Sequence, residues 1–222
     1  MCGIFGNFNI NEANIFYDLG KYSETRGKEA SGFIAVSSSQ QVIKKFPVPF
    51  SNKIVRENIL NEELFSDRVS FIGHTRLKTH GNQEVEENNQ PVTCEDISVV
   101  HNGIIENSTL LKKFLVGKGH KFKSQTDTEV IVHLITEYLK TYDIVNSVKK
   151  TLKSLHGSFA LGIIFKDQPD LIIGARRGSP LAVGYGPNEN YLGSDSYALK
   201  SMTNKITYLN DGEFCVIKKD YV

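Results

Sequence analysis

The sequence predicts a mixed α+β fold with largely antiparallel sheets, and three observations carry that expectation. Ten short runs rich in Val, Ile, Phe and Tyr, bounded by Gly, Asn, Asp or Ser, read as strands. Helical periodicity is confined to a few segments, the clearest being "DTEVIVHLITEYLKTY". Strands follow one another directly at both ends of the chain, with two long helices between, which is not the strict βαβ alternation of a doubly wound sheet.

Taken in order, "IFGNFNI" reads as a strand and "NEANIFYDLGKYSE" as a helix. "GFIAVS" and "QVIKKF" are strands joined by the short polar turn "SSSQQ". "NKIVRENILNEELF" is a helix, "VSFIGHT" and "ISVVHNGII" are strands, and "NSTLLKKFLVGK" is again helical. In "DTEVIVHLITEYLKTY", Val130 and Leu134, with Ile131, Ile135 and Tyr138, recur at three- and four-residue steps. "SFALGIIF", "DLIIGA", "PLAVGYG", "NYLGS" and "ITYLNDGEFCVIK" complete the strands. There is no internal repeat or domain boundary, so one domain over residues 1–222 is expected.

Composition limits the function. With 222 residues, 40% of them hydrophobic, the chain can bury a sizeable core. A formal net charge of +1 supplies no global field for nucleic acid or an anionic membrane surface. No signal-peptide pattern opens the sequence and no apolar run is long enough to span a bilayer, which points to a cytoplasmic protein. Three cysteines, Cys2, Cys94 and Cys215, without C-x-x-C spacing, argue against a disulfide framework or a Cys-rich zinc site. His74 and His80 are too far apart for a one-face helical pair, so no metal is expected, and no cofactor is expected either.

Five short stretches carry polar side chains in combinations that chemistry can use. In "MCGIFG", Cys2 alone reads as a small hydrophobe at a strand edge. Removal of Met1 would instead leave Cys2 with both a thiol and a free α-amine, a nucleophile and a base on one residue. "VVHNGII" holds Asn102-Gly103, either a type I′ hairpin turn or an oxyanion hole in which the Asn amide and Gly N–H face developing negative charge. "QTDTEVI" matches a capping box from Thr126 to Glu129, compatible with Asp127 also serving as a ligand for an ammonium group. "GHTRLKTHG" is a polar loop after an apolar strand; Arg76 offers a planar fork for a carboxylate, which the Thr79 hydroxyl could complete. "RGKEASG" places Arg26 in a turn between a helix and a strand.

Together and in this order, with "HGSFAL", "ARRGSPLAVG", "SDSYAL" and "LNDGEF", these stretches resemble the glutaminase domain of class II glutamine amidotransferases, the N-terminal-nucleophile hydrolases, most nearly that of glucosamine-6-phosphate synthases. The resemblance spans nearly the whole chain. It implies a four-layer αββα sandwich of two antiparallel sheets between helices. It implies Cys2 as the nucleophile on the side-chain amide of L-glutamine, its own α-amine as proton acceptor, and Asn102 and Gly103 as the oxyanion donors. It further implies Arg76, with Thr79 and His80, for the substrate carboxylate, Asp127 for its ammonium group, and Arg26 in the wall beside Cys2.

Two departures bear on what receives the ammonia. Leu77-Lys78 stands where the resembled family has Trp-Ala, and "NNQPV" stands where Asn-Ala-His-Pro is usual. The sequence stops at Val222, where a sugar-isomerising half would begin, so an excised domain and a standalone subunit are both open. Ammonia transfer to an amino-sugar synthase domain or partner is the leading expectation. The alternatives are a phosphoribosyl or nucleotide-sugar acceptor, or a non-catalytic binding module if Met1 is retained.

Overall fold

Alternation along the strands decides the architecture of this chain, seen in a computed structural model that describes residues 2–10, 12–57, 59, 68–77, 82–218 and 221–222. The strands are β1 (Gly3–Ile10), β2 (Ala30–Val36), β3 (Gln41–Phe46), β4 (Val69–Arg76), β5 (Val92–Cys94), β6 (Ile97–Ile105), β7 (Gly157–Phe165), β8 (Gln168–Arg177), β9 (Ala182–Gly186), β10 (Glu189–Gly193), β11 (Ile206–Tyr208) and β12 (Phe214–Ile217). The helices are α1 (Ala13–Ser23), α2 (Ser108–Gly117), α3 (Glu129–Leu139), α4 (Ile144–Ser154) and the single turn α5 (Ser196–Leu199). One sheet runs β11-β9-β10-β1-β4-β2-β3 and the other β12-β8-β7-β6-β5, with every pairing antiparallel.

Ile4 and Phe8 of β1, Ile72 of β4, Val100 of β6 and Ala160 and Ile164 of β7 point into one shared core between the two sheets. The residues between them in sequence point the other way: Phe5 and Phe71 pack against Phe16 of α1, and Phe159, Leu161 and Ile163 pack under α3 and α4. Both faces of both sheets are therefore covered, which is why the strands read as nearly continuous apolar runs. Each fully buried Phe or Ile contributes about 1.5–3 kcal/mol relative to exposure. The result is the four-layer αββα sandwich that the family resemblance implied.

The sequence-based elements and the structure differ at identifiable points. "ITYLNDGEFCVIK" is two strands, β11 in the first sheet and β12 in the second, because the Gly212 turn donates to the Arg176 carbonyl and carries the chain between layers. Of "NKIVRENILNEELF", only a short π-helical turn at Ser51–Val55 is described, and residues 60–67 lie outside the described part. β5, α4 and α5 were not expected. Helix α4 had a legible start, since Asp143 caps it by accepting from the Asn146 N–H at 2.9 Å. The proposed capping box is not formed as read. Glu129 accepts from the N–H groups of Lys123 and Ser124, at 2.8 and 2.7 Å, and Thr128 occupies the N-cap. Asn102-Gly103 is not a hairpin turn: both lie inside β6, opposite Ala160 and Phe159 of β7.

Candidate active site

Cys2 stands at the start of β1, and the chain around it explains the glycine that follows. A Cβ on Gly3 would come within 2.5 Å of the Ser23 carbonyl oxygen and of the Thr75 hydroxyl, which donates to that carbonyl at 2.8 Å. Only glycine lets the end of α1 and β4 close this tightly on the chain behind Cys2. The Cys2 carbonyl is then held from two sides: Arg26 Nε donates to it at 3.0 Å and Asn102 Nδ2 donates at 3.0 Å. Arg26 is fixed in turn by an ion pair with Asp195 at 2.7 Å. Cys2 Sγ lies 3.4 Å from both the backbone N and O of Leu77, so it is the Leu77 main chain that touches the thiol.

Beside the thiol is a cavity of about 290 Å³, whose walls include Cys2, Arg76, Leu77, Asn102, Gly103 and Asp127. That size stands at the lower end of small-molecule sites. Arg76, at the end of β4, is buried to 6% exposure and donates to Asn89 Oδ1 at 2.7 Å. Asp127, in the turn before α3, accepts from the Ile105 N–H through one carboxylate oxygen at 2.7 Å. Two opposite charges thus line one small cavity whose mouth carries a thiol.

Burial pushes the Cys2 thiol above its ordinary pKa, against the Leu77 N–H and the nearby Arg76 and Arg26 charges, which pull it down. Burial likewise lowers Arg76, with Cys2 and Glu29 acting in the opposite sense. His74 and His101 also line the cavity. Burial holds His74 neutral down to about 3, reinforced by His101 and Arg76, and it depresses His101 as well.

Of the residues singled out by sequence, Cys2, Arg76, Asn102, Gly103 and Asp127 come together around this cavity. Arg26 does not line it; its guanidinium faces the Cys2 carbonyl and Asp195 instead. Thr79 and His80 lie outside the described residues. Sequence reasoning missed Asp195, which "SDSYAL" contained without a reason to single it out, and Asn88, Asn89 and Gln90, which were noted only as a departure from the resembled family's Asn-Ala-His-Pro run.

A family profile described as a glutamine amidotransferase domain matches residues 74–201, more than half of the chain. The glutamine–fructose-6-phosphate aminotransferase (isomerizing) of Zymomonas mobilis is 41% identical over 99% of this chain and 36% of its own length. That of Mesorhizobium japonicum is 42% identical over 100% of this chain, again with 36% of the relative covered. The chain therefore spans about a third of the length of these curated relatives. Among solved structures, a glutamine phosphoribosylpyrophosphate amidotransferase from B. subtilis superposes with a TM-score of 0.80 at 27% identity, covering 99% of this chain and 48% of that one. With a cysteine at position 2, an αββα sandwich, a matching profile and relatives about 40% identical over the whole chain all agreeing, the chain belongs to the class II glutamine amidotransferase domain family.

Proposed function

We propose that residues 1–222 form one glutaminase domain that hydrolyses L-glutamine through Cys2, once Met1 has been removed, and passes the ammonia to an amino-sugar synthase domain or partner. The observation that carries this reading is the cavity in which Arg76 and Asp127 present opposite charges within reach of a thiol. An amino acid satisfies both charges, and a plain amide satisfies neither.

The base is the α-amine of Cys2. Because burial raises the thiol pKa, Cys2 rests protonated and needs a proton acceptor. The nearby histidines cannot supply one at neutral pH, since His74 is held at about 3 and His101 is lowered too. An α-amine with an ordinary pKa of roughly 7.7–8.0 is suited to the task. It takes the thiol proton as sulfur attacks the amide carbon, then returns it to the departing nitrogen. Ammonia leaves and a thioester forms. Water attacks that thioester, and glutamate and the free thiol are released.

Asn102 and Gly103 stabilise the two tetrahedral oxyanions. One Asn102 amide hydrogen serves the Cys2 carbonyl, leaving its second with the Gly103 N–H for the substrate oxygen. Removal of one such donor costs about 3 kcal/mol of transition-state stabilisation. The amino-sugar acceptor is favoured by the names of the curated relatives, which exceed the phosphoribosyl enzyme in identity over the same span.

The test is glutamate release by protein whose N-terminal mass has been measured. Cys2→Ala and Cys2→Ser abolish release while the circular dichroism spectrum is unchanged. Full activity from protein that retains Met1 throughout overturns the mechanism. Isolated chain supplied with glutamine and fructose-6-phosphate forms glutamate but no amino sugar.

A further inference from the structure

Three consecutive amide side chains, Asn88, Asn89 and Gln90, each hold a different wall of the cavity. Asn88 Oδ1 accepts from the Gln125 N–H at 2.9 Å, fixing the turn that carries Asp127. Asn89 Oδ1 accepts from Arg76 at 2.7 Å, while its Nδ2 donates to the Gln83 carbonyl at 2.6 Å. Gln90 pairs with the His101 backbone twice: Nε2 donates to the carbonyl at 2.9 Å and Oε1 accepts the N–H at 2.5 Å. Asn88 and Asn89 are buried to 1% and 2% exposure, so these contacts are shielded from competing water.

The Gln90 pairing follows from strand register. β5 meets β6 with Val92 opposite Val99, Thr93 opposite Ser98 and Cys94 opposite Ile97. Continuing that register backward sets position 90 opposite His101, in the same hydrogen-bonding class of pair as Val92 and Val99. There the Gln90 side chain bonds the His101 N–H and carbonyl. Residues two apart on an antiparallel strand present their N–H groups to the same edge, so Gly103 shares the edge that Gln90 holds at His101. That edge faces the cavity, because β5 has ended there.

We infer that the Asn88-Asn89-Gln90 triplet is a positioning frame with divided duties. Asn89 aims Arg76 at the substrate carboxylate, and Gln90 sets the edge of β6 from which the Gly103 N–H meets the oxyanion. The inference rests on the glutaminase reading and adds residues to it that touch neither the thiol nor the scissile bond. It also gives "NNQPV" a physical role that its composition did not reveal.

Divided duties make a crossed kinetic pattern, which a merely structural loop would not produce. Asn89→Leu, near-isosteric but unable to hold the guanidinium, raises KM for glutamine about five- to tenfold and leaves kcat within twofold. Gln90→Met, similar in length but without hydrogen bonds, lowers kcat at least tenfold and leaves KM within threefold. Alkylation of Cys2 by iodoacetamide, which forms no oxyanion, keeps its parental rate in Gln90→Met. Gln90→Glu retains an acceptor for the His101 N–H and falls between parent and Gln90→Met in kcat, which guards against a Met variant that folds poorly. If Asn89→Leu and Gln90→Met change kcat and KM in the same proportion, or neither variant changes either constant, the frame is wrong. In that event Cys2→Ala still abolishes activity if the glutaminase reading holds, so the two failures are distinguishable.

Discussion

Cys2 is positioned by its carbonyl rather than by its thiol. Arg26 and Asn102 converge on that oxygen, and Asp195 anchors Arg26, so the residue is fixed, while among the described residues its sulfur hydrogen-bonds with the Leu77 main chain. This leaves the thiol available to an incoming carbon. The two charges proposed to read the substrate lie on other elements, Arg76 at the end of β4 and Asp127 ahead of α3. Removing either leaves a substrate charge unpaired in this cavity, a penalty on the order of 2–5 kcal/mol. Arg76→Ala and Asp127→Ala each lower kcat/KM for glutamine at least a hundredfold, with melting curves that remain cooperative. A change within threefold in both variants, measured by glutamate release, would remove them from the site. These residue types were legible in the sequence, because a fork for carboxylates and an acidic partner are recognisable chemistry. Arg26 was legible as important but not in its role, since nothing in "RGKEASG" shows which oxygen its guanidinium faces.

At the scale of elements, β6 holds both proposed oxyanion donors, Asn102 and Gly103, and it was the most ambiguous to read. Asn-Gly between apolar runs favours a two-residue hairpin locally. In the fold, nine consecutive residues of β6 pair with β7, and that pairing outweighs the local preference. Register is a tertiary property, so local sequence cannot decide it. The same limit hid β5, with three residues, and redirected Glu129 from a capping box to the Lys123–Ser124 backbone. Gly103 shows what β6 requires: its φ is +140°, and a Cβ there would lie 2.0 Å from the Ser158 carbonyl oxygen. Gly103→Ala must shift β6 away from β7 and takes the oxyanion edge with it. The strained backbone alone costs about 1–3 kcal/mol, so the melting temperature falls and kcat drops by more than tenfold. Gly117, at the end of α2, has open space around it and no such backbone constraint. Gly117→Ala therefore stabilises by about 0.4–1 kcal/mol and leaves kcat unchanged, a paired control read from the same denaturation and activity assays.

Across the whole molecule, the inter-sheet core was legible from apolar runs, whereas the buried titratable groups that set its pH response were not. Those groups fall into two sets on opposite sides of neutrality. His133 of α3 is faced by Cys94 of β5 at 3.4 Å, by His120 at 3.0 Å and by Glu129 at 3.5 Å, with Phe122 against its ring. Burial works against its charge, but its contacts with the Cys94 thiol and the Glu129 carboxylate prevail and hold it up at about 9. Folded protein thus binds this proton more tightly than unfolded chain. The resulting stability is complete below the ordinary 6.5 and is lost as pH rises through about 9. His74 acts in the opposite sense: burial depresses it from 6.5 to about 3, so unfolded chain binds the proton more tightly between those values. Its contribution is complete above 6.5 and is lost on acidification, with His101 shifted in the same direction. Glu129, drawn down from 4.5 to about 2 by its bonds to His133, Lys123 and Ser124 despite burial, adds to the acid limb only below 4.5. The melting temperature therefore falls on both sides of the region near pH 6.5–7, the interval from 6.5 to 4.5 reporting the buried neutral histidines. His133→Gln flattens the limb between pH 7 and 9 and leaves the limb between 6.5 and 4.5 in place. Melts are compared below pH 9, because burial raises Cys215 from 9.0 to about 11 and adds a further alkaline loss above that point. An alkaline limb equally steep in parent and His133→Gln would show that the proton held by His133 does not couple to folding.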